Sequence, residues 1–425
     1  MVRSALSFFS RSLLLGASLA AAACGVAADD AESSDGAITS NDGVPLEFEF
    51  KGEVVARSSD SARRAIATQL QYVQGILVTD ADANGQTGMP GLANIRETEE
   101  GDKKRITYEA KLPVVWPKNR ARPDSYELAL PLDVTALPAF NAKYDGTCGR
   151  NEYGQSSFWH DFNPKASGCV LDDADVHRAP VTVRPHPQAT KDVYPEYDKI
   201  WEDDALDVVA VFGIISSNTP QDEGVRTREK LLREVAASLQ GAERSEAPEA
   251  RGILADSTVT GTAVVDGRER RVTVRGILVH EVASAGATFE QRYSEATANA
   301  DVVIYEGHSG LGKNIGALAR NMGAKQNKYQ LVYLYGCQTL GYLEPVMHEK
   351  RVELNGAEAD PEGTKYLDVI ANALPAYGDD GRSTLALYRA MFEMESPKTF
   401  NGLIRGISPW HLVVVFGEHD NTFRP

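Results

Sequence analysis

From about residue 207 to the C-terminus, short and mostly apolar runs alternate with stretches whose apolar residues recur at helical spacing. The runs are 207–215 (DVVAVFGII), 272–282 (VTVRGILVHEV), 302–305 (VVIY), 331–334 (LVYL), 366–373 (YLDVIANA) and 412–416 (LVVVF). A strand reads this way when both of its faces are covered. Between the runs, Leu231, Leu232, Val235 and Leu239 mark one face of a helix from Thr227, and Phe289, Tyr293 and Ala296 mark another. Ile315, Leu318, Ala319 and Met322, then Leu385, Tyr388, Met391 and Phe392, mark two more. A hairpin centred on Asp266-Gly267 leads into the second run. The pattern predicts an α/β domain over 206–425, built on a doubly wound, mainly parallel six-stranded sheet. Ligands of such sheets sit at the carboxyl ends of the strands.

Before residue 195 the pattern changes. Residues 46–56, 105–115, 127–134 and 180–184 read as strands, and Ile66, Leu70, Val73 and Leu77 share one helix face after a start near Asp60. Residues 46–195 therefore predict a β-rich α+β domain, a binding, positioning or inhibitory module, with a boundary in the polar, proline-containing stretch 185–205. Within it, Asp80, Asp82, Asn84 and Gly85 match the opening of a Ca²⁺ loop. The twelfth position is Gly91 instead of a bidentate Glu, so a polar turn is the preferred reading and no cofactor is expected.

Composition narrows the class. The chain has 425 residues, and 44 Lys+Arg against 60 Asp+Glu leave a formal charge of −16, with no basic block to hold a nucleic acid. Arg3 and Arg11 precede an apolar run, Leu13 to Ala23, that is too short to span a bilayer and reads as a secretory signal over 1–24. Its end, AAAC, resembles the lipobox of bacterial lipoproteins, which implies a lipid on Cys24. The expectation is an exported protein at the outer membrane or cell surface, in contact with the membrane only through that lipid. Cleavage near the alanines would instead leave a periplasmic or secreted soluble protein. Residues 25–45, small and acidic, read as a flexible tether.

An exported chain forms disulfides readily. Of the four cysteines, Cys24 would carry lipid and Cys148 and Cys169, 21 residues apart, would pair. That leaves Cys337 as a lone thiol, buried or used.

Cys337 ends the stretch 301–337, DVVIYEGHSGLGKNIGALARNMGAKQNKYQLVYLYGC. Gly307 to Lys313 fits a P-loop, but Asn314 stands where a Ser or Thr hydroxyl should hold Mg²⁺. Gly307-His308-Ser309 starts like the elbow of an α/β-hydrolase, yet Leu311 occupies the place of the second glycine. The third reading takes His308 and Cys337 together. At the ends of neighbouring strands about 4.8 Å apart, they can face one carbonyl, one as base and the other as nucleophile. Backbone amides of Ser309, Gly310 and Cys337 would then hold the oxyanion.

The segments VVIYEGHSG and LVYLYGC resemble the paired signature of the caspase-like cysteine peptidases, the group of caspases, legumain, gingipains, clostripain and separase. That signature is an apolar strand followed by His-Gly, then an apolar strand followed by a small residue and Cys. The resemblance spans about 207–425 and implies that fold, an endopeptidase acting on peptide or protein substrates, and the roles just given. One departure is Ser309, where the family usually has Gly. Specificity in that family comes from loops beyond the strand ends, here around Asn372 or Asp379-Asp380. The alternative function is a non-catalytic surface lipoprotein that uses the same fold as a binding scaffold.

Overall fold

The computed structural model describes residues 43–154, 156–187, 192–407 and 411–425, and every count of elements is of those residues. Cys24, the signal and most of the tether lie outside them.

The first half of the chain runs β1 (Gly43–Arg57), α1 (Ala62–Ala81), β2 (Asn84–Gly85), β3 (Gly91–Glu100), β4 (Lys103–Pro117), β5 (Ser125–Pro131), α2 (Leu137–Tyr144) and β6 (Val176–Pro185). β1 pairs antiparallel with β4 along its whole length and with β6 on its other side, giving a sheet of order β2-β4-β1-β6-β5 with β3 also on β4. Its alternation is physical: Leu46, Phe48 and Phe50 point into the core while Glu47 and Glu49 pair outward with Lys111. The strand begins before the residues read as its start. Gly43–Pro45 are not tether, because they pair with 115–117 of β4. α1 starts where Ser61 accepts from the Arg64 amide at 3.3 Å and buries Ile66, Leu70, Val73 and Leu77.

The second half runs α3 (Tyr197–Ile200), β7 (Ala205–Gly213), α4 (Glu223–Ser238), β8 (Gln240–Glu246), β9 (Ile253–Val265), β10 (Arg268–Val279), α5 (Ala287–Thr297), β11 (Val302–Glu306), α6 (Lys313–Asn321), β12 (Gln330–Tyr335), α7 (Val346–Asn355), β13 (Leu367–Asn372), α8 (Arg382–Ala390), α9 (Phe400–Gly406) and β14 (Val413–Phe416). These strands form a second sheet of order β14-β13-β12-β11-β7-β10-β9-β8. β10 to β13 are parallel, whereas β14, β9 and β8 run antiparallel to their neighbours. The six strands read from the apolar pattern are therefore present, but the sheet has eight strands and mixed direction instead of six. β9 joins through the turn at Asp266-Gly267, both at positive φ (52° and 69°). β8 adds an edge whose residues are all exposed.

The two sheets pack in one compact unit, and the expected boundary at 185–205 falls inside it. Polar side chains of the first half reach the end of the second sheet. Asn84 Nδ2 donates to Ala373 O at 2.6 Å, Thr87 Oγ1 to Gly341 O at 3.0 Å, and Gln74 Nε2 to Gln338 Oε1 at 3.0 Å. No described helix is long and apolar enough to cross a membrane.

Gly75 sits inside α1, where alanine would ordinarily stabilise a helix by about 0.5–1 kcal/mol. A Cβ there would lie 2.0 Å from the backbone oxygen of Trp159. Overpacking of this kind costs about 1–3 kcal/mol, so the clash outweighs the propensity gain. Gly75→Ala is expected to lower the urea midpoint; an unchanged or higher midpoint would show that the Trp159 segment is free to yield.

Candidate cysteine-histidine site at the strand ends

Parallel pairing of β11 with β12 sets Glu306 opposite Tyr335, so His308 and Cys337 each stand two residues past a paired position. The two turns touch: the Gly307 amide donates to Tyr335 O at 3.1 Å. A Cβ on Gly336 would lie 2.7 Å from Gly307 O, so only glycine lets the turns close this far.

The histidine turn is stitched from below. His308 O accepts from the Tyr305 hydroxyl at 2.6 Å and from Asn314 Nδ2 at 2.8 Å, and Asn314 Oδ1 takes the Ala283 amide at 2.9 Å. Asn314, which breaks the P-loop pattern, is thus a bracket between two turns. Gly310, Leu311 and Gly312 all have positive φ (62°, 51°, 89°), and the Gly312 and Asn314 amides turn back to Ser309 O. The amides of Ser309, Gly310 and Cys337 have no acceptor among the described residues. Ser309 itself is buried, which does not suit it to be the exposed serine of an elbow.

His308 Nε2 lies 2.8 Å from Ile215 O. A carbonyl can only accept, so Nε2 carries the proton and Nδ1 of the neutral ring is the free base. Ile215 is fixed in turn by Asp222, whose carboxylate accepts the amides of Ile215 (3.2 Å), Ser216 (2.7 Å) and Ser217 (3.0 Å) and caps α4 through Gly224 (3.0 Å). Burial works to raise the Asp222 pKa, and those amides outweigh it and hold the carboxyl below its ordinary range.

Cys337 leads into a tight turn at Gln338, which has φ 54° and is buried. Gln338 N donates to Leu374 O at 3.1 Å, and its side-chain oxygen takes Gln74 at 3.0 Å and Tyr342 at 3.4 Å. The half-buried Cys337 thiol donates to Ala376 O at 3.7 Å. No hydrogen bond joins it to the His308 ring among the described residues. Beneath the strand end, burial pushes the Glu306 carboxyl up to about 8, with Asp379 and Glu223 adding to the shift and the Thr384 hydroxyl opposing it. Glu306 is therefore protonated at neutral pH. Asp379, in one of the loops expected to set specificity, is buried and caps α8 through the Arg382 and Ser383 amides. Asn372, the other, is buried with its side-chain amide unpaired.

Cys148 and Cys169 are joined, with Cα atoms 4.8 Å apart. Asp80 receives the Tyr126 hydroxyl and, at 2.6 Å, Lys165; Asp82 pairs with Arg120, and Asn84 turns to Ala373. The three thus serve separate partners. No group of three or more His, Cys, Asp or Glu side chains among the described residues could hold a metal ion.

Ile215, Asp222, Tyr305 and Gln338 are not among the site residues read from the sequence. Asp222 alone left a signal, as an N-cap residue in a Ser-, Pro- and Asp-containing loop, masked because the helix was read from Thr227. No protein-family model matches the chain, and no curated protein matches it.

Asp222→Asn removes the charge that these amides solvate, and the folded protein should lose about 1.5–3 kcal/mol at pH 7. Because the folded carboxyl is held low, its contribution is complete above the unfolded value of about 3.9 and is lost as pH falls through the lower folded value. Thermal unfolding of wild type should therefore fall further from pH 5 to pH 3 than that of Asp222→Asn. Parallel curves would remove Asp222 from this role.

Proposed function

We propose that the chain is an exported cysteine endopeptidase with a caspase-like C-terminal half. His308 Nδ1 takes the Cys337 proton, and the thiolate attacks a peptide carbonyl held by the amides of Ser309, Gly310 and Cys337. The imidazolium then protonates the departing amine, leaving a thioester that water, activated by the same nitrogen, hydrolyses. The observation that carries this reading is the placement of a tautomer-locked histidine and the one free described cysteine on touching turns at the carboxyl ends of adjacent parallel strands. The resemblance in VVIYEGHSG and LVYLYGC supports the class of reaction.

A second reading, the non-catalytic binding scaffold, is favoured by one contact: the thiol donates to Ala376 O instead of His308. Catalytic hydrogen bonds are often long before substrate arrives, so that contact does not decide against catalysis.

Iodoacetamide labelling of Cys337 against pH separates the two. A dyad gives labelling well below the ordinary thiol pKa of about 8.5, shifted upward in His308→Ala. Peptide hydrolysis should vanish in Cys337→Ala, fall by about 10²–10⁴ in His308→Ala, and persist in Ser309→Ala. Labelling only above pH 8.5 and indifferent to His308 would leave the scaffold reading.

A further inference from the structure

Five large hydrophobic side chains are exposed among the described residues, and two of them, Tyr153 (61%) and Tyr377 (67%), are aromatic. They come from different halves of the chain. Tyr377 follows Ala376, the residue whose carbonyl takes the thiol, and is held by its amide on His411 Nε2 at 3.1 Å.

Tyr153 arrives through a relay of packed rings. Trp159 is buried with its ring edge-on to Tyr342 at 6.3 Å, and its backbone oxygen lies against Gly75 of α1. His160 stands edge-on to Trp159 at 5.6 Å, with the side chain of Gln338, the neighbour of Cys337, close to its ring. Tyr153 stands edge-on to His160 at 5.4 Å, with its amide on Ser157 Oγ at 3.0 Å. Behind them the Cys148–Cys169 disulfide and the Asn163 amide on Cys148 O, 2.7 Å, close the segment. The phenols of Tyr153 and Tyr342 and the Cys337 sulfur lie within electrostatic reach of one another.

The core does not need Tyr153, since its ring is mostly in water, yet the His160 ring and the Ser157 hydroxyl hold it in place. A rigid, amphipathic ring with its face uncovered is the side chain that binding surfaces use as an anchor. We propose that Tyr153 is a specificity-determining residue. Its ring, with Tyr377 from the other half, forms the wall against which an aromatic or large aliphatic side chain of an extended peptide rests while Cys337 meets the backbone. The proposal rests on the reading of Cys337 as the residue that attacks peptides, and it makes the first half of the chain part of the cleft.

The test uses the full chain and two kinds of Cys337 reagent: iodoacetamide, and peptidyl acyloxymethyl ketones carrying Phe, Leu or Ala at successive positions. In wild type, Phe or Leu reagents should label faster than the Ala reagent at one position by roughly three- to tenfold. Tyr153→Ala should bring that ratio close to one and Tyr153→Phe should keep it, each normalised to its own iodoacetamide rate. Tyr153→Ser, with thermal unfolding of each variant, guards against a misfolded alanine form. A wild type without the preference, or a ratio unchanged in Tyr153→Ala and Tyr153→Ser, overturns the proposal. If the preference follows Tyr153 but no peptide bond is cleaved, the wall stands and the peptidase reading falls.

Discussion

The register between β11 and β12 is the constraint on which the site depends. Five consecutive pairs, Val302 with Leu331 through Glu306 with Tyr335, fix where each strand stops, and every residue in them is buried. Slipping a strand by one residue would turn its set of side chains to the opposite face, so burial on both faces locks the register. A histidine and a cysteine two residues beyond the last pair are then brought to the same level by the sheet itself. The loops only have to orient them.

That orientation is carried by backbone groups. Ile215 O orients the imidazole, His308 O ties the turn to Tyr305 and Asn314, and Asp222 gathers three successive amides so that Ile215 points the right way. An anionic carboxylate among oriented amides makes stronger hydrogen bonds than neutral partners would, which suits a loop that must hold the His308 ring without being a strand.

This arrangement explains which features could be read from the amino acids. The six strands β7 and β10 to β14 were legible because sheets covered on both faces demand unbroken apolar runs. β8 was not, since GAERSE lies on an exposed edge and no burial imposes a pattern on it. α7 was obscured for the opposite reason. His348 and Arg351 are buried in it, with Arg351 donating to Lys328 O at 2.9 Å, so polar letters occupy core positions and no apolar stripe marks the helix. His308 and Cys337 were legible because their chemistry resides in side chains. The carbonyl that orients the histidine has no letter of its own, and the contribution of Tyr153 depends on a packing between distant segments that no local spacing encodes.

The bonds from Gln74 to Gln338 and from Asn84 to Ala373 join residues 264 and 289 apart in sequence. Closing such long loops costs more chain entropy than any neighbouring strand pair, so these contacts belong late in folding. Until they form, Gln338 lacks the partner that braces its left-handed turn, and Cys337 before it sits on an unbraced loop. The setting of Cys337 is therefore tied to completion of the whole fold, because side chains of the first half brace the turn that follows it.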